Sequence, residues 1–147
     1  MAFRFALAPL LRLRQSIERQ RTLQLQDASL QVARAQETLT QLERFLSDSA
    51  QSDAKELSAG RTAAELQFAA VLRENLHRFR LELQSHIREL ELLRQQALAA
   101  HHQAYREREV LETLRARNRH LYQQEQLRRQ QRDLDATYLL QRWHHHN

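Results

Sequence analysis

The side chains that could do chemistry here are histidines and carboxylates, and they form no pattern typical of a catalytic site. His101 and His102 are adjacent, so on a helix they point about 100° apart and make a poor chelate. Glu82 and His86 have the i, i+4 spacing that a metal site can use, but an ordinary surface pair shares this spacing, and we favour the surface pair. Residues 144–146, all histidine, receive no role. We therefore predict no catalytic residue, no metal site and no cofactor.

Arginine is the other chemically active residue type, and it is concentrated towards both ends of the chain. Residues 1–22 contain five arginines and one glutamate, a balance of +4. Residues 103–147 contain nine arginines and six acidic residues, a balance of +3, whereas residues 23–102 have a balance of −2. Lys55 is the only lysine, so nearly every cation has the planar fork that suits carboxylates and interfaces.

Nucleic-acid binding is one alternative for such a chain. Against it, Arg106-Glu107-Arg108-Glu109 alternates basic and acidic residues, which favours ion pairs within and between helices. The sequence also lacks aromatic–glycine stacking motifs and a basic region followed by a parallel zipper. We therefore predict no nucleic-acid partner and keep an arginine-rich nucleic-acid-binding coiled coil as an alternative.

The elements that must position these residues are long helices. The 147 residues include one glycine, one proline and no cysteine, and the commonest residues are good helix formers. Pro9 suits the first turn of a helix, Gly60 suits a helix end, and Thr62 with Glu65 has the form of a capping box. We predict helix 1 over about 9–47, a hinge over about 48–61 including Ser58, and helix 2 over about 62–140.

Apolar residues recur in alternating steps of three and four along both helices, which predicts coiled-coil packing. Arg21 interrupts the first series, which we interpret as a stutter or a wetter layer. The first series contains Leu10, Leu13, Ile17, Leu25, Ala28, Val32, Ala35, Leu39, Leu42 and Leu46. The second contains Leu66, Ala69, Leu72, Leu76, Phe79, Leu83, Ile87, Leu90, Ala97, Ala104, Leu111, Leu114 and Leu121. The predicted fold is all-α: one domain, 1–147, in which two helices form an antiparallel coiled-coil hairpin and the second helix is longer.

Large apolar residues lie beside these series near the predicted hinge. Phe45 flanks the first series, and Phe68 and Val71 widen the second around Leu72. Two helices bury only a narrow stripe, so the wider stripe predicts exposed apolar surface. This surface is either a binding site for a partner or is covered by residues 47–61 folding back, and the sequence favours neither.

The start, length and end of the chain resemble the FliJ family of flagellar protein export. The start of the family's sequences is similar to Phe3-Arg4-Phe5-Ala6-Leu7-Ala8-Pro9-Leu10-Leu11-Arg12-Leu13-Arg14. A motif near their end is similar to Gln131-Arg132-Asp133-Leu134-Asp135. Pro9 and Ala136 depart from the family pattern. The resemblance implies a non-enzymatic stalk that binds the hexameric export ATPase (FliI-like), the export gate (FlhA-like), the ATPase regulator (FliH-like) and export chaperones.

The resemblance also implies where these partners bind. The gate-contacting positions of the family fall on Leu42, Phe45, Leu72, Leu76 and Phe79, with Ser49 and Leu83 at the edges. The hairpin brings the basic segments 1–22 and 103–147 together at its open end, and the resemblance implies that this end enters the ATPase ring. We predict that Arg12, Arg14, Arg117 and Arg119 contact the ring. We expect the protein to be cytoplasmic and peripheral at the cytoplasmic face of the inner membrane. It would contact the membrane only through the export apparatus. The related alternative is the equivalent stalk of a virulence-type secretion system.

Overall fold

The computed structural model describes residues 2–57 and 59–146, which form two long helices. Helix α1 spans Ala8–Leu57 and helix α2 spans Ala63–His146. At 1.5 Å per residue they are about 75 Å and 126 Å long. The prediction of an all-α, antiparallel two-helix coiled coil with a longer second helix is confirmed. Within the described ranges neither helix is apolar enough over a sufficient length to cross a membrane.

The connection between the helices has the chemistry that its sequence predicts. Gly60 has a φ of 80°, the left-handed conformation that a side chain disfavours. The Thr62 backbone N–H donates to Glu65 Oε2, and the Glu65 backbone N–H donates to Thr62 Oγ1, each at 3.3 Å. This reciprocal capping box fixes the start of α2. Ser58, part of the predicted hinge, lies outside the described residues.

Helix α1 ends ten residues beyond the predicted end near residue 47, because it continues without a break through the polar segment 48–57 to Leu57. A short helical extension over residues 55–57 is compatible with the sequence, but a continuous helix through 48–54 is not what the capping residue types predict. Segment 48–57 contains capping residue types, but its acidic residues also form ion pairs with one arginine in the connection and with one on α2. Arg61 Nη1 lies 3.0 Å from Asp53 Oδ1, and Arg61 also pairs with Glu56. Arg73 pairs with the second oxygen of Asp53. These ion pairs stabilise a helical end that local propensity does not favour.

The chain divides into two compact units. Unit 1 comprises Met1–Arg19 and His102–Asn147, and unit 2 comprises Gln20–His101. Pairing within each unit is antiparallel: Gln15 contacts Glu112 in unit 1, and Thr22 contacts His101 in unit 2. The prediction that the chain forms a single domain stays a prediction.

The apolar core is thin, and at the start of α1 it faces a different direction from the one predicted. Leu10 and Leu13 are 38% and 55% exposed, whereas Leu11 is 3% exposed and packs with Phe5 and Leu111 in unit 1. Expecting Leu10 and Leu13 on the seam was therefore wrong. The physical reason is Phe5, which precedes the helix and covers the side on which Leu11 lies.

Arg21 is exposed, so its predicted place on the seam was also wrong. It hydrogen-bonds Gln24 on its own helix at 3.0 Å. The neighbouring Thr22 takes the half-buried position and lies 3.2 Å from His101 Nδ1. The layer is indeed polar, but a threonine and a histidine form it.

Candidate partner-binding surfaces

Unit 1 is strongly basic, with thirteen arginines, seven acidic residues and a net charge of +6. Unit 2 contains ten basic and eleven acidic residues, a net charge of −1. The excess of positive charge that the sequence places near both ends therefore belongs to one compact unit.

The four arginines predicted to contact the ATPase ring all lie in unit 1, but in different environments. Arg12, Arg117 and Arg119 are exposed and form no ion pair with any described residue. Arg14 is half-buried and pairs with Glu107 on the other helix. Three of the four are thus free to meet a partner, whereas Arg14 also links the two helices.

Arg108 is the centre of the ion pairing in unit 1. It pairs with Glu18 across the helices and with Glu109 and Glu112 on its own helix, and its guanidinium lies 5.0 Å from the centre of the Tyr105 ring. Burial lowers the pKa of Arg108, but the hydrogen bonds and charges of Glu112 and Glu18 outweigh burial and raise it above its ordinary value. The predicted ion pairs around residues 106–109 are confirmed, and Arg108 serves the fold rather than a partner.

The segment before α1 builds one wall of unit 1. The Ala8 backbone N–H donates to the Phe5 carbonyl at 3.1 Å, and this turn brings Phe5 onto Leu11. The Phe3 ring lies 5.6 Å from the Tyr122 ring on α2. From the sequence, both phenylalanines stand out only as part of the family motif. The two aromatic residues are spaced two positions apart just before Pro9, which lies in the first turn of the helix. This spacing is the signal that could have placed them in the core.

The five predicted gate-contacting residues lie in unit 2, where they form a mixture of exposed and half-buried positions. Phe45, Leu72 and Phe79 are 54%, 44% and 46% exposed. Leu42 and Leu76 are half-buried. This is the arrangement expected of a stripe wider than the seam, since two helices cannot cover all of it.

The described residues of this segment, 47–57 and 59–61, leave the stripe exposed, so the alternative that they cover it was wrong. Phe45 remains about half exposed, and Phe68 and Val71 are 71% and 51% exposed. The end of α1 instead borders a pocket of about 680 Å³, whose apolar walls include Phe68 and Leu72. At the edges of the predicted gate surface, Ser49 is half-buried and Leu83 is buried.

A column of arginines on the inner side of α2 escaped the sequence analysis. Arg73, Arg80 and Arg94 recur at multiples of seven residues and are half-buried in unit 2. Arg80 Nε lies 3.6 Å from Glu43 Oε1, too far for a hydrogen bond, and this Nε and that of Arg73 are buried without a hydrogen-bond partner in the described structure. The seven-residue spacing was the available signal. It was missed because only apolar residues were followed along the seam.

Among the residues that the structure describes, the histidine and carboxylate candidates form no metal site, and His101 instead contributes to the polar layer with Thr22. Glu82 and His86 are exposed, and no cluster of three metal-binding side chains occurs in the described part of the chain. Unit 1 therefore presents to solvent arginines that form no ion pair in the described structure, and unit 2 presents the apolar stripe beside the turn. Large apolar side chains are also exposed in unit 1, among them Leu134, Leu140 and Trp143 on α2.

The fold and these surfaces define a coiled-coil protein whose exposed chemistry is that of protein–protein contact. The family model described as the flagellar FliJ protein matches residues 3–147. The chain belongs to the FliJ family and is a component of the flagellar export apparatus. Comparisons with curated proteins and with solved structures found no match.

Proposed function

We propose that the chain is a non-enzymatic coupling protein that binds the hexameric export ATPase through unit 1 and the export gate through unit 2. In this role it stimulates the ATPase, contacts the ATPase regulator and escorts export chaperones. It works at the cytoplasmic face of the inner membrane, which it reaches only through its partners. The family match favours a flagellar system over the virulence-type alternative.

The observation that carries this proposal is the exposed apolar stripe of unit 2. Phe45, Leu72 and Phe79 expose large apolar side chains, and the nearby Phe68 and Val71 are exposed as well. Contiguous exposed apolar surface marks interaction sites, and aromatic side chains supply much of the binding energy in such sites. The half-buried Leu42 and Leu76 fix the backbone beneath it.

The positive charge of unit 1 supports the proposed contact with the export ATPase. Exposed arginines without ion-pair partners, such as Arg12, Arg117 and Arg119, steer an acidic partner and add modest affinity when it arrives. An acidic lining of the ATPase ring is the complement that this surface requires.

The test measures how two variants, one altered in each unit, bind each of the two purified partners. One variant, F45A/F79A, alters unit 2, and the other, R12E/R117E/R119E, alters unit 1. We expect the first to lose binding to the cytoplasmic domain of the gate but retain the ATPase, and the second to do the reverse. If each variant weakens both interactions equally, the two surfaces do not serve separate partners and the proposal is wrong.

A further inference from the structure

A pocket in unit 1 combines an apolar floor with a rim of arginines. It has a volume of about 670 Å³, within the size range of sites that bind small ligands or a few side chains. Apolar atoms come from Phe3, Phe5 and Leu11, and cationic groups come from Arg4, Arg12 and Arg115. In the described part of the chain no acidic side chain lines it.

The walls of the pocket are held in place before any ligand arrives. Phe5 and Leu11 belong to the buried core with Leu111, and Phe3 packs against Tyr122. A ligand therefore meets a formed apolar surface and does not have to order a loose segment first.

The arginines at the rim are available, in contrast to their neighbours. Arg14 and Arg108 are occupied by Glu107 and by Glu18, whereas Arg4, Arg12 and Arg115 have no ion-pair or hydrogen-bond partner among residues 2–57 and 59–146. Glu112, three residues before Arg115, is already engaged by Gln15 and Arg108. The rim thus presents guanidinium groups whose charge nothing in the described structure neutralises.

We propose that this pocket binds an acidic segment of a partner protein that carries an apolar side chain beside its carboxylates. The carboxylates would pair with Arg12 and Arg115, and the apolar side chain would lie on Phe3 and Pro9. Carboxylate is the planar group that an arginine fork holds with two parallel hydrogen bonds. The apolar floor distinguishes this ligand from a bare phosphate, which gains nothing from it.

The inference rests on the proposed function only for the identity of the partner, an acidic segment of the ATPase ring. Arg115 also borders a second surface pocket together with Arg119, one of the residues predicted to contact the ring. The site is therefore continuous with the basic surface already assigned to that partner, and it adds Arg115, which the sequence analysis did not select.

The experiment uses the full chain and a fluorescein-labelled hexapeptide in which glutamate alternates with leucine, measured by fluorescence anisotropy. Two comparison peptides carry glutamine for glutamate or serine for leucine. We expect the parent peptide to bind best and R12A/R115A to weaken it about tenfold, the loss expected for two ion pairs. The matched control R128A/R132A removes two other exposed arginines of unit 1, and with it we expect less than a twofold change.

Three results would overturn the inference. The first is that R12A/R115A and R128A/R132A weaken peptide binding equally. The second is that either comparison peptide binds as well as the parent peptide. The third is that a twelve-nucleotide oligothymidine binds more tightly than the parent peptide and that its binding depends on Arg12 and Arg115. ATPase stimulation by R12A/R115A then tests the partner separately. If the peptides behave as expected but stimulation is unchanged, the pocket stands and the proposed ring contact fails.

Discussion

At the scale of single residues, exposure separates side chains that are available to a partner from side chains that stabilise the fold. Phe45 and Leu83 both belong to the apolar pattern of unit 2, yet Phe45 is 54% exposed and Leu83 is 9% exposed. Arg12 and Arg14 differ in the same way, since only Arg14 has an ion-pair partner in the described structure. Apolar character does not distinguish Phe45 from Leu83, and positive charge does not distinguish Arg12 from Arg14.

The substitution F45A should weaken binding to the export gate while leaving the melting temperature nearly unchanged, because the side chain buries little within the chain. L83A should instead lower the free energy of unfolding by about 2–5 kcal/mol, the range for buried leucines. Exposed Leu81, outside the predicted gate surface, supplies the control L81A, which should alter neither quantity. Calorimetric titration and thermal melts check all three. Early melting of F45A, with a proportional loss of binding, would place Phe45 in the core.

The charge reversal R14E should destabilise unit 1 by about 0.2–1 kcal/mol, because it removes the pair with Glu107 and sets two like charges together. R12E should have no measurable effect on stability. Adding E107R to R14E should restore most of the lost stability by reversing the pair. Urea titration measures these differences. No recovery in the double variant would show that the Arg14–Glu107 contact does not link the helices.

At the scale of elements, the turn was predictable, whereas the direction of the helix faces was only partly so. The positive φ of Gly60 and the capping hydrogen bonds of Thr62 and Glu65 involve only neighbouring residues, so the sequence alone predicts them. The burial of Leu11 in place of Leu10 depends on Phe5, and the continuation of α1 to Leu57 depends on ion pairs with α2 residues and Arg61. Such contacts join distant parts of the chain, so local propensity and apolar spacing cannot reveal them.

Gly60 offers a test of the turn. A side chain there would meet nothing within 4 Å, so the cost of G60A is conformational rather than steric. Alanine is strained in the left-handed conformation, so G60A should lower the free energy of unfolding by roughly 1–2 kcal/mol. G60N should cost less, because asparagine tolerates this conformation. Equal stability of G60A and the parent in urea titration would show that the turn can relax to another conformation.

The arginine column of α2 predicts a stabilising substitution. Arg80 has a buried Nε without a hydrogen bond and only a long contact to Glu43, so R80L should replace a poorly satisfied group with apolar packing. The pair is about half exposed, so water can solvate Glu43 once Arg80 is gone and the loss of the pair should cost little. Removing the unsatisfied Nε should therefore give a net gain of about 1 kcal/mol, at the low end of the cost of a buried polar group without a partner. R78L, at an exposed arginine paired with Glu74, is the matched control and should change little. A destabilised R80L would mean that the Glu43 contact is worth more than its distance indicates.

At the scale of the whole molecule, the charge is divided rather than uniform. Unit 1 has a net charge of +6 and unit 2 of −1, although the chain as a whole has only +5. The sequence predicted this division, because counting charges needs no tertiary contacts. Which arginines remain available could not be predicted, since pairing depends on the side chains that each one meets across the helices.

The final prediction is that local charge in unit 1, not total charge, drives stimulation of the export ATPase. R12E/R117E/R119E brings unit 1 from +6 to zero, and R34E/R44E/R88E makes the same change in total charge on exposed arginines of unit 2. The first variant should lose most stimulation and its dependence on salt, whereas the second should keep both. Single reversals should do little, because each exposed ion pair contributes only about 0.2–1 kcal/mol. Both triple variants should melt like the parent, since these side chains lie outside the core. Equal stimulation by the two at low ionic strength, where charge steering is strongest, would show that the arginines of unit 1 only solvate the surface.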